Sequence, residues 1–258
     1  MIAQKVSRVS SRISDTYSCQ INETGERNLL NRRDNLTVVR SVRKIPSNRR
    51  SVTGFVSWRS QSSIPYESTL ERDFVLRQAF NLGVASVVSQ PCEVPFVTRS
   101  GTKSIATPDY LVYYKVRDDA IGLEFKPMLV EVKERKDWQK HWREWLPKWV
   151  AIRRYAREQG WIFRVMDETR IRTLAFENIM FLRRYDDLDV CPHQSAAVVE
   201  DVRELGSVSI DYILAKHFAG SFRAQGIAHL WHLLATRQLD CDICDPLNED
   251  THIWVAYD

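Results

Sequence analysis

The residues in this chain best suited to chemistry are Asp109, which follows Pro108, and the triplet Glu131-Val132-Lys133, which begins 22 residues later. Residues two apart on a strand point to the same face, so a strand over 128–133 projects Glu131 and Lys133 together. One turn separates the segments carrying Asp109 and Glu131. They can therefore pair directly, which sets two carboxylates side by side with an ammonium. Carboxylates that close repel unless something neutralises them. A divalent cation does so, and hard oxygen ligands suit Mg²⁺, with Mn²⁺ able to substitute. A lysine beside them can orient or help deprotonate water and can steady charge on a phosphate. This is a working set for phosphodiester hydrolysis. Glu67 and Glu71, one helical turn apart upstream, are candidates for a third carboxylate, and Glu71 is favoured. The plain alternative is a strand-edge ion pair between Glu131 and Lys133. Residue types and spacing alone leave that open.

The elements that must hold these residues follow from hydrophobic period and turn signals. A helix is predicted over Glu67–Phe80, buried through Leu70, Phe74, Leu76 and Ala79, and stopped by Gly83. Extended segments follow at 84–88 and 93–98, with a hairpin turn at Ser100-Gly101. Ile105–Val116 is predicted as one strand with Pro108 near its start, Arg117–Ala120 as a turn, and Met128–Lys133 as a central strand. In the next helix, Lys136–Glu158, Trp138, Trp142, Trp145, Trp149 and Ile152 recur at helical spacing. That stripe reads as core, although aromatic faces can also stack bases. Lys136, Lys140, Arg143 and Lys148 lie between its members and would form a basic solvent face able to track phosphates. Pro147 is a possible kink in this helix. A strand at Trp161–Met166 and a helix at Thr169–Arg184 complete an α/β order: a mixed sheet covered by helices.

Charge divides the chain. The formal net charge is +4, made of +8 over residues 1–60, +5 over 61–185 and −9 over 186–258. Residues 1–60 hold ten serines and no convincing period before a strand at Leu36–Val42. They read as an extended arm whose Arg32, Arg33, Arg49 and Arg50 would contact phosphates, or as a solvated tail. Residues 186–258 read as short helices without a clear sheet: Gln194–Leu205, one capped by Ser209, and one carrying Ile227, Leu230, Trp231 and Leu234. With an extended stretch over 251–257, they suggest a small winged-helix-like domain. Its acidity suits docking on a basic protein surface better than binding DNA. Five scattered cysteines, no membrane span and no apolar leader point to the cytoplasm. Cys241 and Cys244 with His229 and His232 have zinc-like spacing, but their Asp-rich flanks favour the ordinary end of a small helical domain.

Several runs carry a resemblance to a known family: Glu67-Ser68-Thr69-Leu70-Glu71, Gln90-Pro91, Thr107–Val112 and Val130-Glu131-Val132-Lys133. Together they resemble the N-terminal domain of the TnsA family, the endonuclease subunits of heteromeric cut-and-paste transposases. The core of the likeness spans about 60–185, and a weaker likeness to the family's C-terminal domain runs to about 255. The resemblance implies a restriction-endonuclease-like fold of the PD-(D/E)xK type over 61–185. It implies metal-dependent cleavage of duplex DNA at the 5′ ends of a transposon, with a TnsB-like transposase cutting and joining the 3′ ends and a TnsC-like AAA ATPase as regulator. The family's catalytic Glu, Asp and Lys correspond to Glu71, Asp109 and Lys133, and Glu131 fills a slot that some members give to Gln. A further carboxylate that some members carry on the next helix aligns here with Ile152 and is not carried over. The rival readings are a stand-alone restriction or junction-resolving nuclease of the same fold and a non-catalytic DNA-binding scaffold.

Overall fold

The structure is a computed structural model that describes residues 52–59, 62–115 and 125–256, the pieces 20–21 and 27–28, and residue 41. Gln20–Ile21 (β1) and Arg27–Asn28 (β2) pair antiparallel within a unit of their own, residues 1–39. The four arm arginines, Cys19 and the turn at 117–120 lie outside the described residues, as does the strand expected at 36–42 apart from Ser41.

The second unit begins earlier than the arm reading allows. Gly54–Trp58 (β3) pairs antiparallel with Ser62–Tyr66 (β4), and Val56, Trp58 and Ile64 are buried. Their period-2 alternation is that of a half-buried hairpin, so residues 54–58 belong to the folded core and not to an extended arm. Thr69–Phe80 (α1) follows. It is buried nearly all round, with Asp73 among its core-facing residues. Arg72 and Arg172 neutralise Asp73 at 2.7 and 2.8 Å.

Val84–Ser89 (β5) leads to a separate hairpin of Val94–Val97 (β6) and Lys103–Ala106 (β7), and then to Tyr110–Tyr114 (β8). The single strand expected over 105–116 is thus two strands in two sheets, divided at Thr107-Pro108-Asp109. Proline has no N–H for a ladder, and the break falls there. Met128–Val132 (β9) pairs antiparallel with β8, and Arg135–Glu158 (α2) crosses over to Ile162–Met166 (β10), which runs parallel to β9. The mixed sheet has the order β10-β9-β8-β5. Tyr110, Val112, Val130 and Val132 join the α1-side core, so the alternate residues Leu111, Leu129 and Glu131 face the α2 side.

The helix expected over 169–184 is split into Glu168–Ile171 (α3) and Leu174–Leu182 (α4), followed by a 3-10 turn at Arg183–Tyr185. The split falls where Arg172 leaves helical geometry and its guanidinium reaches Asp73. Beyond it come Pro192–Leu205 (α5), Val208–Ser209 (β11), Ile210–His217 (α6), Arg223–Ala235 (α7), Leu239–Cys241 (β12) and His252–Val255 (β13). Here the strands form a real antiparallel sheet of order β11-β13-β12, contrary to the sheetless reading. β13 lies within the extended stretch expected over 251–257, while β11 and β12 escape a periodicity search because they are two and three residues long. The order helix–strand–helix–helix–strand–strand is that of a winged helix. Its core gathers Val198, Ile213, Leu214, Leu230, Leu234 and Ile253, with Leu182 of α4 reaching in. Ser209 Oγ caps α6 by accepting from the Tyr212 N–H.

Gly226 in α7 tests this core. A Cβ there would overlap Cβ and Cγ of the buried Phe218 ring. Gly226→Ala should cost about 1–3 kcal/mol, the usual penalty for overfilling a packed core. The cost is read as a lower midpoint in urea unfolding, and an unchanged midpoint would show that the ring yields freely.

Candidate active site

Asp109 is fixed from three sides before its carboxylate does anything. Its N–H donates to Val130 O at 3.0 Å, and its carbonyl accepts from the Gln90 N–H at 2.8 Å. Its Oδ2 accepts from the Val132 N–H at 2.6 Å. Gln90 holds a left-handed backbone (φ +44°) to make that contact, an uncommon conformation for a non-glycine residue. Asp109 is therefore tied to both neighbouring strands at the start of β8.

Glu131 stands on β9 with 1% exposure. Its Oε1 takes the Lys148 ammonium at 2.5 Å and the Lys133 ammonium at 3.6 Å. Its Oε2 is buried and has no hydrogen-bond partner. Lys133 sits just past β9, held by its N–H to Met166 O at 3.1 Å, and its ammonium lies 3.7 Å from Asp109 Oδ2. Glu71 comes from the first turn of α1. There Ser68 Oγ accepts from the Glu71 N–H at 3.1 Å, and Glu71 Oε2 accepts from the Glu67 N–H at 2.8 Å. This reciprocal capping fixes the side chain. The Tyr110 hydroxyl donates to Pro65 O at 2.9 Å and lies 3.5 Å from Glu71 Oε2. Glu67 contributes its backbone N–H to this arrangement.

Burial and then the Glu131 charge push the Asp109 carboxyl up to about 8, against the pull of Lys133. Burial also raises Glu71, against its hydrogen bonds and Lys133. Burial works to lower Lys133, but Asp109, Glu131 and Glu71 outweigh it and hold its ammonium above the usual range. With all three carboxyls ionised, three carboxylates would face two ammoniums and leave one negative charge. The raised Asp109 carboxyl keeps its proton at neutral pH and evens that count, and Glu131 Oε2 is left without a partner among the described residues. By donor type and charge these residues fit a divalent cation. Among the described residues no three acidic, His or Cys side chains are already gathered around one point, because the ammoniums stand between the carboxylates.

The model for the family described as TnsA-like endonuclease N terminal matches residues 81–168, and that described as TnsA endonuclease C terminal matches residues 170–243. The chain belongs to the TnsA family. It is a DNA endonuclease of the type that serves as a transposase subunit. No curated protein matches it. Asp109, Glu131, Lys133 and Lys148 lie inside the first matched span, whereas Glu71 lies before it.

The site differs from the sequence reading at α2. Lys148 was expected on the solvent face, tracking phosphate. Its side chain is only 22% exposed and its ammonium is on Glu131. Position 148 is one helical turn before the buried Ile152, so it shares the sheet-facing side. That spacing was the available signal. Lys136, Lys140 and Arg143 are exposed, and Lys136 pairs with Glu134 at 3.1 Å. The Trp stripe is not a closed core. Trp142 is 43% exposed, Trp138, Trp145 and Trp149 are half-buried, and only Ala151, Ile152 and Ala156 of α2 are fully covered. Geometry explains this. A 24-residue helix spans about 36 Å, while strands of five or six residues span about 17–20 Å. At the other end of the chain His229 shares a 2.8 Å hydrogen bond with Ser195 Oγ, and His232 bonds Tyr185 O at 2.8 Å. Neither faces a cysteine cluster among the described residues.

Two predictions follow from the charge balance. Lys148→Met strips a partner from a buried carboxylate and should destabilise the metal-free protein by about 2–4 kcal/mol. Lys140→Met on the same helix should cost about 0.5 kcal/mol or less. Thermal unfolding in EDTA compares them, and equal costs would place Lys148 on the surface after all. The raised Asp109 carboxyl makes the folded state bind a proton that the unfolded state has already released. Its contribution to stability is therefore full below about pH 4 and is lost as pH rises through about 8. Asp109→Asn should flatten that fall, measured by urea unfolding of the metal-free protein at about pH 5 and about pH 8.5. Parallel pH profiles for the two proteins would contradict the assignment.

Proposed function

We propose that this chain cleaves the 5′ (non-transferred) strands at transposon ends in cut-and-paste transposition, beside a TnsB-like transposase that cuts and joins the 3′ ends. The observation that carries the reading is the buried Asp109–Glu131–Lys133 cluster, in which the Asp109 carboxyl is held back from ionising and Glu131 Oε2 has no partner among the described residues. Asp109 and Glu131, with Glu71, would hold Mg²⁺, or Mn²⁺ in its place. Such an ion, when bound, supplies Lewis-acid polarisation of the phosphate and activation of water. The protein's own groups do the rest. The Val132 N–H aims Asp109, Lys133 and Lys148 orient Glu131 through Oε1, and capping of α1 sets Glu71. Lys133, held as an ammonium, serves to steady charge on the phosphate and not to take a proton.

A division of labour goes with this chemistry. Residues 61–185, extended back to β3, carry the nuclease. Residues 186–258, at −9, dock a TnsC-like AAA ATPase through a basic surface on the partner. The basic arm ahead of β3, with Arg32, Arg33, Arg49 and Arg50, adds DNA affinity without specificity, as do Lys136, Lys140 and Arg143. No described helix is long and apolar enough to cross a membrane, and the cytoplasm, where the DNA lies, is the proposed location.

Asp109→Ala tests the nuclease reading. Cleavage of the 5′ strands, assayed with partner subunits and divalent metal, should fall at least about 100-fold, or about 2.7 kcal/mol of transition-state stabilisation. Circular dichroism should stay unchanged, because the side chain sits at a strand end and not in the apolar core. Activity within a few-fold of wild type would overturn the assignment.

A further inference from the structure

A groove of about 660 Å³ runs between α2 and β10, the edge strand of the mixed sheet. Three features set it apart from an ordinary surface cleft. Its walls carry Arg153 and Arg170, and neither guanidinium has a carboxylate partner among the described residues. Its apolar lining is aromatic, with Trp138, Trp149 and Phe163, and the Trp149 Nε1–H is buried with no acceptor. The groove's one acid, Asp167, is already engaged. Its Oδ2 accepts from Trp138 Nε1 at 3.3 Å and its Oδ1 from Thr169 Oγ1 at 2.7 Å. A concave surface with two unpaired cations, ring faces and an unused donor calls for an anionic ligand that also has flat rings.

The groove also lies beside the catalytic carboxylates. Val165, in its wall, is the parallel register partner of Glu131, one strand spacing of about 4.8 Å away and on the same face of the sheet. A chain lying in the groove would run directly past that centre.

We propose that the α2–β10 groove binds an unpaired stretch of DNA strand next to the cleavage point. Its bases would stack on Trp138 and Trp149, and its phosphates would lie against Arg153 and Arg170. A duplex presents its phosphates outside and hides its ring faces, so it cannot use the aromatic lining. A single strand can use both at once, with guanidiniums for the backbone and tryptophans for bases of any sequence. Cutting one strand of a duplex frees an end that can fray, and that end has the required chemistry. The proposal rests on the nuclease reading above.

The test is binding by the full chain in EDTA, followed by fluorescence anisotropy. The probes are fluorescein-labelled oligothymidylate of about ten nucleotides and a hairpin duplex with the same number of phosphates. Replacing Arg153 and Arg170 together with Ala should weaken oligothymidylate binding at least about 10-fold and lower its log–log salt slope by about 1.4. Duplex affinity should stay within about 3-fold, because the duplex engages other basic surfaces. Trp138→Ala should weaken oligothymidylate by about 5- to 150-fold, the range for losing one stacked base. The arginine variant keeps the test decisive if that one fails to fold. Equal losses for both probes, or none for either, would overturn the proposal. So would competition by polyglutamate as effective as by unlabelled oligothymidylate, which would mark a site for acidic peptides. The assay involves no metal and no cleavage, so its failure leaves the nuclease reading standing. Wild-type cleavage by Asp109→Ala would sink the nuclease reading and leave this binding result intact.

Discussion

Glu131 is a carboxylate with 1% exposure on the second strand in from the edge of a four-stranded sheet, and much of the molecule is arranged around that burial. An uncompensated charge there would cost several kcal/mol. Lys133 from the end of the same strand and Lys148 from the covering helix answer it. Lys148 can reach only because α2 crosses the sheet on the face to which residue 131 points. That crossing follows from the parallel β9–α2–β10 connection, which lays a helix over the sheet. The compensation is incomplete. The two ammoniums gather on Oε1, Oε2 stays bare, and Asp109 is held so that its ionisation worsens the imbalance. A fold optimised for stability alone would put an apolar side chain at 131. The retained imbalance is what makes the place attractive to a cation.

Legibility in the sequence tracked how local each decision was. The pairing of Asp109 with Glu131 and Lys133 depends on one turn and on strand parity, both readable from spacing, and the structure brings these three groups within 3.7 Å contacts. The Ser209 cap is equally local. Lys148 was misread because a lysine among tryptophans looks like solvent chemistry until the buried charge opposite is known, and that charge lies 17 residues away in sequence. The strands β11 and β12 were missed because they are too short to show a period, whereas β13 falls inside the extended stretch expected over 251–257, and β3 was missed because serines and arginines around it suggested a tail. The Trp stripe was rightly placed on one helix face. Its burial, however, depends on how far the sheet extends beneath it, which no period reports.

The two hydrophobic cores share a seam that also bears on function. Leu182 of α4 belongs to the winged-helix core, while Ile171 and Phe176, from α3 and α4, belong to the core under the sheet. The Arg237 guanidinium lies 4.4 Å from the Phe80 ring centre, and Asn178 Nδ2 donates to the carbonyls of Ile243 and Asp245. Contacts of this kind couple the acidic end of the chain to α1, the helix whose first turn sets Glu71. A partner that engages the winged-helix region therefore bears on an element tied to the catalytic face.

The length of α2 draws these strands of argument together. A helix needed only to cover the sheet could end its exposed turns some 15 Å sooner. Its second half supplies Ile152 to the core, Lys148 to Glu131 and Arg153 to the groove against β10. Its first half leaves Lys140 and Arg143 in solvent and Trp142 43% exposed. On the proposed reading, the exposed aromatic and cationic side chains of this element, which also carries Lys148, would meet the same polyanion that reaches the carboxylates. Substrate lying along the helix would then contact the element that holds Glu131 in its orientation.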